Sequence, residues 1–298
     1  MSATLHELSE TMAGLVQAAG PQIVRVEARR RLPATGVVHS ADGLIVTASH
    51  VVERDDEMRI GLADGSTVNA SLVGRDQHTD VALLRAQASG LTPATWLDPE
   101  QLRVGHMVLA LGRPGQTVQA TLGIVSALGS AWRTPAGGDV ERYVQTDVAM
   151  YPGFSGGPLL TASGAFAGIN SSALLRGISL TIPTPTIHRV VNTLLAHGRI
   201  PRGYLGIGIQ PVRLADGLQT QAGQETGLMV MSVEAGSPAA QGGLLQGDIL
   251  VGLDGQPLRQ VDDLQALLAG DRIGREVSVR VIRTGELREL PVTIGAAR

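Results

Sequence analysis

The chain has 298 residues, no cysteine, 38 glycines, a net charge of −3 and only 2% aromatic residues. At roughly 100–200 residues per domain, this length predicts two domains with a full-sized core. The lack of Cys excludes a disulfide framework, a Cys nucleophile and thiolate metal sites. The mildly acidic balance offers no basic face for nucleic acid, and no apolar run approaches the roughly 18 residues of a membrane span.

The first segment reads as a helix over residues 1–20. Thr4 and Glu7 have capping-box spacing, and Leu5, Leu8, Met12, Leu15 and Val16 follow helical spacing up to Gly20-Pro21. The basic run Arg29-Arg30-Arg31 before Pro33 reads as an exposed strand end or loop. From Ile23 to Pro183 the period shortens. Twelve runs follow one another: IVRVEA, GVVHS, LIVTAS, MRIGLA, TVNASLVG, DVALLRA, MVLALG, TLGIVSAL, RYVQTDV, GPLLT, GAFAGIN and ISLTIP. Many short strands between Gly, Asp and Pro turns predict a sandwich or barrel. Ser40-Ala41-Asp42-Gly43 and Ala63-Asp64-Gly65-Ser66 look like hairpin turns. Pro185 to His197 reads as a helix with Ile187, Val190, Val191, Leu194 and Leu195 on one side, ended by Gly198. Pro201-Arg202-Gly203 opens a second unit, a small α+β module. Its helix candidates are Pro238 to Gln241 and a segment capped near Asp262.

Chemistry concentrates in the first unit. In GFSGGP, Ser155 lies between Gly153 and Gly156-Gly157, which lets a carbonyl and two backbone N–H groups meet at one point. His50 follows a strand in VTASHVV, and Asp80 enters one in HTDVALL. Singly, each also reads as a structural residue. Together they supply what serine attack on a carbonyl needs: a nucleophile, a base, and an acid that orients the base. GFSGG also fits the nucleophile elbow of α/β-hydrolases, but that requires a helix directly after the serine, and here strands follow. Asp76, His78 and Asp80 alternate as a metal site might, yet lack a second His, so no metal and no cofactor is expected. Met229 and Met231 read as strand residues of the core.

Read together, ADGLIVTASHVV, GRDQHTDVALL, GIVSALG and VQTDVAMYPGFSGGPLL resemble the HtrA/Deg family of chymotrypsin-fold serine proteases. GAFAGINSSA, GISLTIP and RGYLGIGIQPV extend the likeness to nearly the whole chain. The resemblance implies a mainly β fold of two packed six-stranded barrels over residues 21–200, with the site between the barrels. It implies His50 as general base and acid, Asp80 as its orienting partner and Ser155 as nucleophile, with the N–H groups of Gly153 and Ser155 as oxyanion hole. The primary pocket is expected at Met150, Tyr151, Asn170, Ser171, Ser172 and Ala173, shaped for small or medium aliphatic residues.

The sequence departs from the family pattern at four places. Phe154 stands where the family usually has Asn and digestive relatives have Asp, so no ion pair to a new N-terminus is expected. Ser130 stands where some members carry a sensor arginine, with Arg133 the nearest replacement. The EARRRLPAT loop is short, which disfavours large closed cages. No aromatic precedes Trp96, which weakens the homotrimer that the resemblance implies.

Residues 201–298 resemble a bacterial-type PDZ domain, most tellingly in SPAAQGGLLQGDILVGLDGQPL. Tyr204, Leu205, Gly206 and Ile207 would hold a C-terminal carboxylate and pair with the peptide backbone. Leu264, Leu267 and Leu268 would face them or close the core. The expected function is ATP-independent cleavage of unfolded polypeptides in protein quality control, with recognition of C-terminal peptides. The alternative is a peptide-binding chaperone or scaffold with a largely latent triad. MSATLHELSE lacks the basic and apolar regions of a signal peptide. As written the chain is therefore expected to be cytoplasmic, whereas family members are usually periplasmic.

Overall fold

The structure is a computed structural model that describes residues 2–30, 32–97, 99–201, 203–268 and 272–296. Arg31 of the basic run and Arg202 lie outside the described residues. The chain divides into two compact units, Met1–Ile200 and Pro201–Arg298.

The first unit opens with α1, Ser2–Ala19. Thr4 and Glu7 lie inside this helix, so they do not cap it. Met12, Leu15 and Val16 are half-buried against the protein, whereas Leu5 and Leu8 are exposed. Six strands follow: β1 Ile23–Glu27, β2 Ala34–Val38, β3 Leu44–Ala48, β4 Met58–Gly61, β5 Thr67–Asp76 and β6 Val81–Ala86. They close into a barrel in the order β1-β2-β3-β6-β5-β4. The next strands are β7 Met107–Gly112, β8 Gln119–Leu128, a short ribbon of β9 Trp132–Arg133 and β10 Asp139–Val140, then β11 Val144–Thr146, β12 Pro158–Thr161, β13 Phe166–Ser171 and β14 Ser179–Pro183. Apart from the ribbon, these close a second barrel, β11-β14-β13-β12-β7-β8. Each of the twelve apolar runs thus becomes one barrel strand. The ribbon was not legible, because two-residue strands carry no period.

Strand alternation explains why so many runs are apolar on both faces. On β6, Ala82, Leu84 and Ala86 fill the first barrel, while Val81 and Leu83 point outward. On β7, Val108 and Ala110 fill the second barrel, while Leu109 and Leu111 point outward. The outward sets merge into one buried cluster between the barrels, covered by α2, Thr184–His197. Successive side chains of a strand face opposite ways, so a strand buried on both sides loses its polar stripe. Ile187, Val190, Val191 and Leu194 of α2 are buried, but Leu195 is 47% exposed. Gly198 ends this helix in a left-handed conformation and bonds back to Leu194 O.

In the second unit the elements are β15 Gly203–Tyr204, β16 Ile207–Arg213, α3 Asp216–Ala222, β17 Thr226–Val233, α4 Pro238–Gln241, β18 Ile249–Leu253, β19 Gln256–Pro257, α5 Val261–Leu267, β20 Glu276–Arg283, β21 Glu286–Thr293 and β22 Gly295–Ala296. The main sheet runs β16-β17-β18-β20-β21, which leaves β16 at one edge. α5 starts before Asp262. Asp263 caps it instead, accepting from the N–H groups of Arg259 and Gln260 at 2.8 and 3.0 Å. α3 escaped the sequence reading because it buries little beyond Ala222.

One polar cluster pins α2 to the first unit. His39 follows β2, Trp96 lies in the segment between the barrels, and His188 is on α2. The His39 and His188 rings stand edge-on at 5.9 Å, and Trp96 lies 6.0 Å from His188 and 6.5 Å from His39. His39 Nδ1 and Trp96 Nε1 are buried without hydrogen-bond partners among the described residues. Burial, then the neighbouring His188, holds the His39 pKa below its ordinary 6.5; nearby Asp42, which is paired with Arg85, opposes the shift. Burial also lowers the His188 pKa. The folded state therefore binds fewer protons here than the unfolded chain. This contribution to stability is complete above about pH 6.5 and is lost as pH falls through the lowered folded values. The thermal midpoint should accordingly drop between about pH 7 and pH 5. His39→Gln should flatten that drop; a slope identical to wild type would assign the loss to other groups.

Candidate active site

His50 lies in a single 3-10 turn, Ser49–Val51, just after β3. Asp80 ends the turn between β5 and β6 with φ of 61°, a left-handed conformation that Asp tolerates better than most residues. That turn aims its carboxylate back at β3. His50 Nδ1 lies 2.8 and 3.0 Å from the two Asp80 oxygens, and the His50 backbone N–H donates to Oδ1 at 2.8 Å. Ser171 Oγ, at the end of β13, donates to Oδ2. Asp80 O accepts from Ser49 N–H at 3.0 Å. Asp80 is 4% exposed, so these donors take the place of water at its carboxylate. Fixed through Nδ1, the imidazole turns Nε2 away from Asp80. Asp76 is occupied separately, accepting from His78 N–H and Thr79 Oγ1. Among the described residues no group of three or more His, Asp or Glu side chains could hold a metal.

Ser155 belongs to the other barrel, in the loop between β11 and β12. Thr35 of β2 holds that loop. Thr35 Oγ1 accepts from Arg113 N–H at 2.8 Å and donates to Gly153 O at 2.6 Å, and Thr35 N–H donates to Ser155 O at 3.3 Å. Gly153 has φ of 92°, and a Cβ there would press on Pro33 O and Pro114. Neither Gly153 N–H nor Ser155 N–H has a protein acceptor among the described residues. Two free donors flanking a serine have the form of an oxyanion hole.

Phe154, between these donors, is fully buried in the second barrel, edge-on to Tyr151 at 5.7 Å. Gly112 faces it, and any Cβ at that position would run into the Phe154 ring. An apolar anchor therefore fixes the loop.

The expected pocket residues divide. Met150 is half-buried against the second barrel's core and Tyr151 is 57% exposed. Asn170 is buried, with Nδ2 donating to Pro158 O at 2.9 Å and Oδ1 accepting from Thr181 at 3.0 Å. The side chains of Asn170 and Ser171 are thus committed to internal bonds and do not line an open pocket. Ser172 and Ala173 are exposed. Ser172 Oγ lies 3.0 Å from Ser155 Oγ, and no hydrogen bond joins Ser155 Oγ to the His50 ring. A cleft of about 370 Å³ opens beside His50, walled by Gln77, His78, Thr134, Pro135, Ala136 and Leu174. Sequence reasoning missed this wall and Thr35; the only signal for the wall was the Pro-Gly turn TPAGG. Arg133 is paired with Asp139 at 3.1 Å.

In the second unit, Leu205 and Gly206 connect β15 to the edge strand β16. Gly206 has φ of 76°, and a Cβ there would overlap Ser237. The N–H groups of Leu205 and Gly206 have no acceptor among the described residues, while Leu205 O and Gly206 O accept from Ala239 and Glu234 at 2.9 Å. Tyr204 Oη bonds Glu234. Leu205 and Leu264 are core residues. Ile207, Leu267 and Leu268 are half-buried, and α5 packs near β16.

A barrel pair with this loop, followed by an edge-strand module, defines a trypsin-like peptidase joined to a PDZ domain. Family models agree: a trypsin-like peptidase domain matches residues 34–169 and a PDZ domain matches residues 203–294. The chain belongs to the HtrA/Deg family of serine proteases. It is 38% identical over 268 residues to a probable periplasmic serine endoprotease DegP-like of Pseudomonas putida, covering 88% of this chain and 56% of that relative. A protein of the same description from Halomonas elongata is 39% identical over 274 residues, covering 89% and 57%. The chain thus spans little more than half the length of these curated relatives. Among solved structures, the serine endoprotease from Yersinia pestis is 30% identical with a TM-score of 0.73, covering 95% of this chain and 97% of that one. The HtrA-type protease AlgW with tripeptide is 32% identical with a TM-score of 0.70, covering 96% and 97%.

Thr35→Val removes the hydroxyl that serves both Arg113 and Gly153 while keeping its shape. Leaving those buried groups unpaired should lower unfolding free energy by about 1–3 kcal/mol. Urea denaturation of the full chain measures it; an unchanged midpoint would mean the clasp is energetically idle.

Proposed function

We propose that this chain is an ATP-independent serine endopeptidase that cleaves unfolded polypeptide segments, and that its second unit binds C-terminal peptides. The observation that carries the reading is the pairing of buried Asp80 with His50, together with a serine loop that has two unpartnered N–H groups among the described residues. In this reading Ser155 Oγ attacks the scissile carbonyl while His50 Nε2 takes its proton. Asp80 holds the Nδ1–H tautomer and supports the imidazolium. The N–H groups of Gly153 and Ser155 bind the oxyanion as charge develops on it. His50 then protonates the leaving amine, and a water that His50 deprotonates releases the acyl group from Ser155. No acidic side chain is among the expected pocket residues, which supports small or medium aliphatic residues at the cleavage site. The description of the relatives as probable periplasmic endoproteases supports an extracytoplasmic setting and a role in protein quality control.

For the second unit, the open edge of β16 supports strand addition by an extended peptide, and the N–H groups of Leu205 and Gly206 support capture of its carboxylate. Half-buried Ile207, Leu267 and Leu268 supply an apolar seat for the terminal side chain.

Ser155→Ala should abolish both degradation of an unfolded protein and labelling by a serine-directed phosphonate, with thermal midpoint kept. Asp80→Asn should lower turnover by about 10⁴-fold by favouring the wrong imidazole tautomer. Full activity of Asp80→Asn would reassign the acid. In the second unit, a peptide with a free apolar C-terminus should bind the full chain at least about tenfold more tightly than its C-terminal amide. Equal affinities in a titration would remove the carboxylate from the recognition scheme.

A further inference from the structure

The reading of Ser155 as nucleophile leaves one contact unexplained. Its hydroxyl is bonded to another serine, Ser172, at 3.0 Å, and not to the His50 ring. The position of Ser172 is set from both sides. At the end of β13, Ser171 points to Asp80 and is held there, and Ser171 Oγ also accepts from Ala173 N–H at 3.2 Å. β13 ends at Ser171, and in the bend that follows Ser172 Oγ lies 3.0 Å from Ser155 Oγ.

We propose that Ser172 is a latch that holds the nucleophile in a resting rotamer and thereby regulates acylation at this site. The inference rests on the reading of Ser155 given above. A hydroxyl has one hydrogen and two lone pairs. If Ser155 is the donor, its proton points away from His50, the base in this reading. If Ser172 is the donor, the bond still holds Ser155 Oγ in the rotamer that is not joined to the His50 ring. Either polarity lowers the fraction of enzyme ready to react, and rotation about the Ser155 Cα–Cβ bond restores it. Nothing in the Asp80–His50 pair or the two loop donors depends on the Ser172 hydroxyl. Ser172 is therefore a positioning residue that acts through Ser155.

The test is the rate of covalent labelling of the full chain by a peptidyl phosphonate with a small aliphatic residue, followed by mass spectrometry at Ser155. Ser172→Ala should be labelled about threefold to tenfold faster, the worth of one neutral hydrogen bond. The gain should fall in the maximal rate and not in the half-saturating concentration, with thermal midpoint unchanged. Ser172→Thr, which keeps the hydroxyl, should not share the gain of Ser172→Ala in maximal labelling rate. A wild-type enzyme labelled at Ser155 with Ser172→Ala no faster, or Ser172→Thr as fast as Ser172→Ala, overturns the latch alone. Absence of label at Ser155 in all three proteins overturns the assignment of the nucleophile, and the latch with it.

Discussion

The first unit depends on the seam between its barrels, and Thr35 is where that seam is fastened. The candidate base and acid are carried by one barrel and the candidate nucleophile by the other, so their chemistry needs two separate sheets in register. Proximity effects fall off steeply with misplacement of about 1 Å. Apolar packing in the shared cluster brings the sheets together, but it is non-directional and tolerates sliding. The Thr35 bonds to Arg113, Gly153 and Ser155 are directional. They also tie down the Gly153 and Ser155 carbonyls, so the same residue that aligns the barrels holds the serine loop against the first one.

Phe154 secures the same loop by a different force. A charged or amide side chain at this position would need partners inside the barrel, and burying it without them costs free energy. A phenyl ring needs only volume, and Gly112 supplies that volume on the facing strand. The loop is anchored by packing and needs no ionic event to order it. The two devices are complementary. The ring fixes the loop's depth in the second barrel, while Thr35 fixes its alignment with the first.

With the loop so constrained, the freedom left at the site is small and local. It lies chiefly in the Ser155 side chain, which can face Ser172 or turn from it. Asp80 is immobilised by bonds from His50 and Ser171, and the imidazole by Asp80. A rotamer change occurs on a timescale far shorter than loop ordering. Regulation through it would alter the ready fraction of enzyme without remodelling the fold. The second unit shows the same economy of motion, since the Leu205 and Gly206 donors are set by a backbone turn whose carbonyls are already bonded to Ala239 and Glu234.

The sequence by itself determined the twelve barrel strands, α2 and the small α+β module, because each rests on local periodicity and on turn residues that act over a few positions. It also brought forward His50, Asp80 and Ser155, because those residue types in those surroundings have few other readings together. It misjudged the start of α5 and the burial of Leu195, which depend on neighbours and not on period. Only the tertiary structure decided what Thr35, Phe154, Gly112, Ser171 and Ser172 do. Thr35 and Ser155 are far apart in the chain, and nothing in either segment encodes the other's approach. The hydrogen bonds between them exist because two closed sheets pack face to face, and a long-range contact of that kind has no signature in a local pattern.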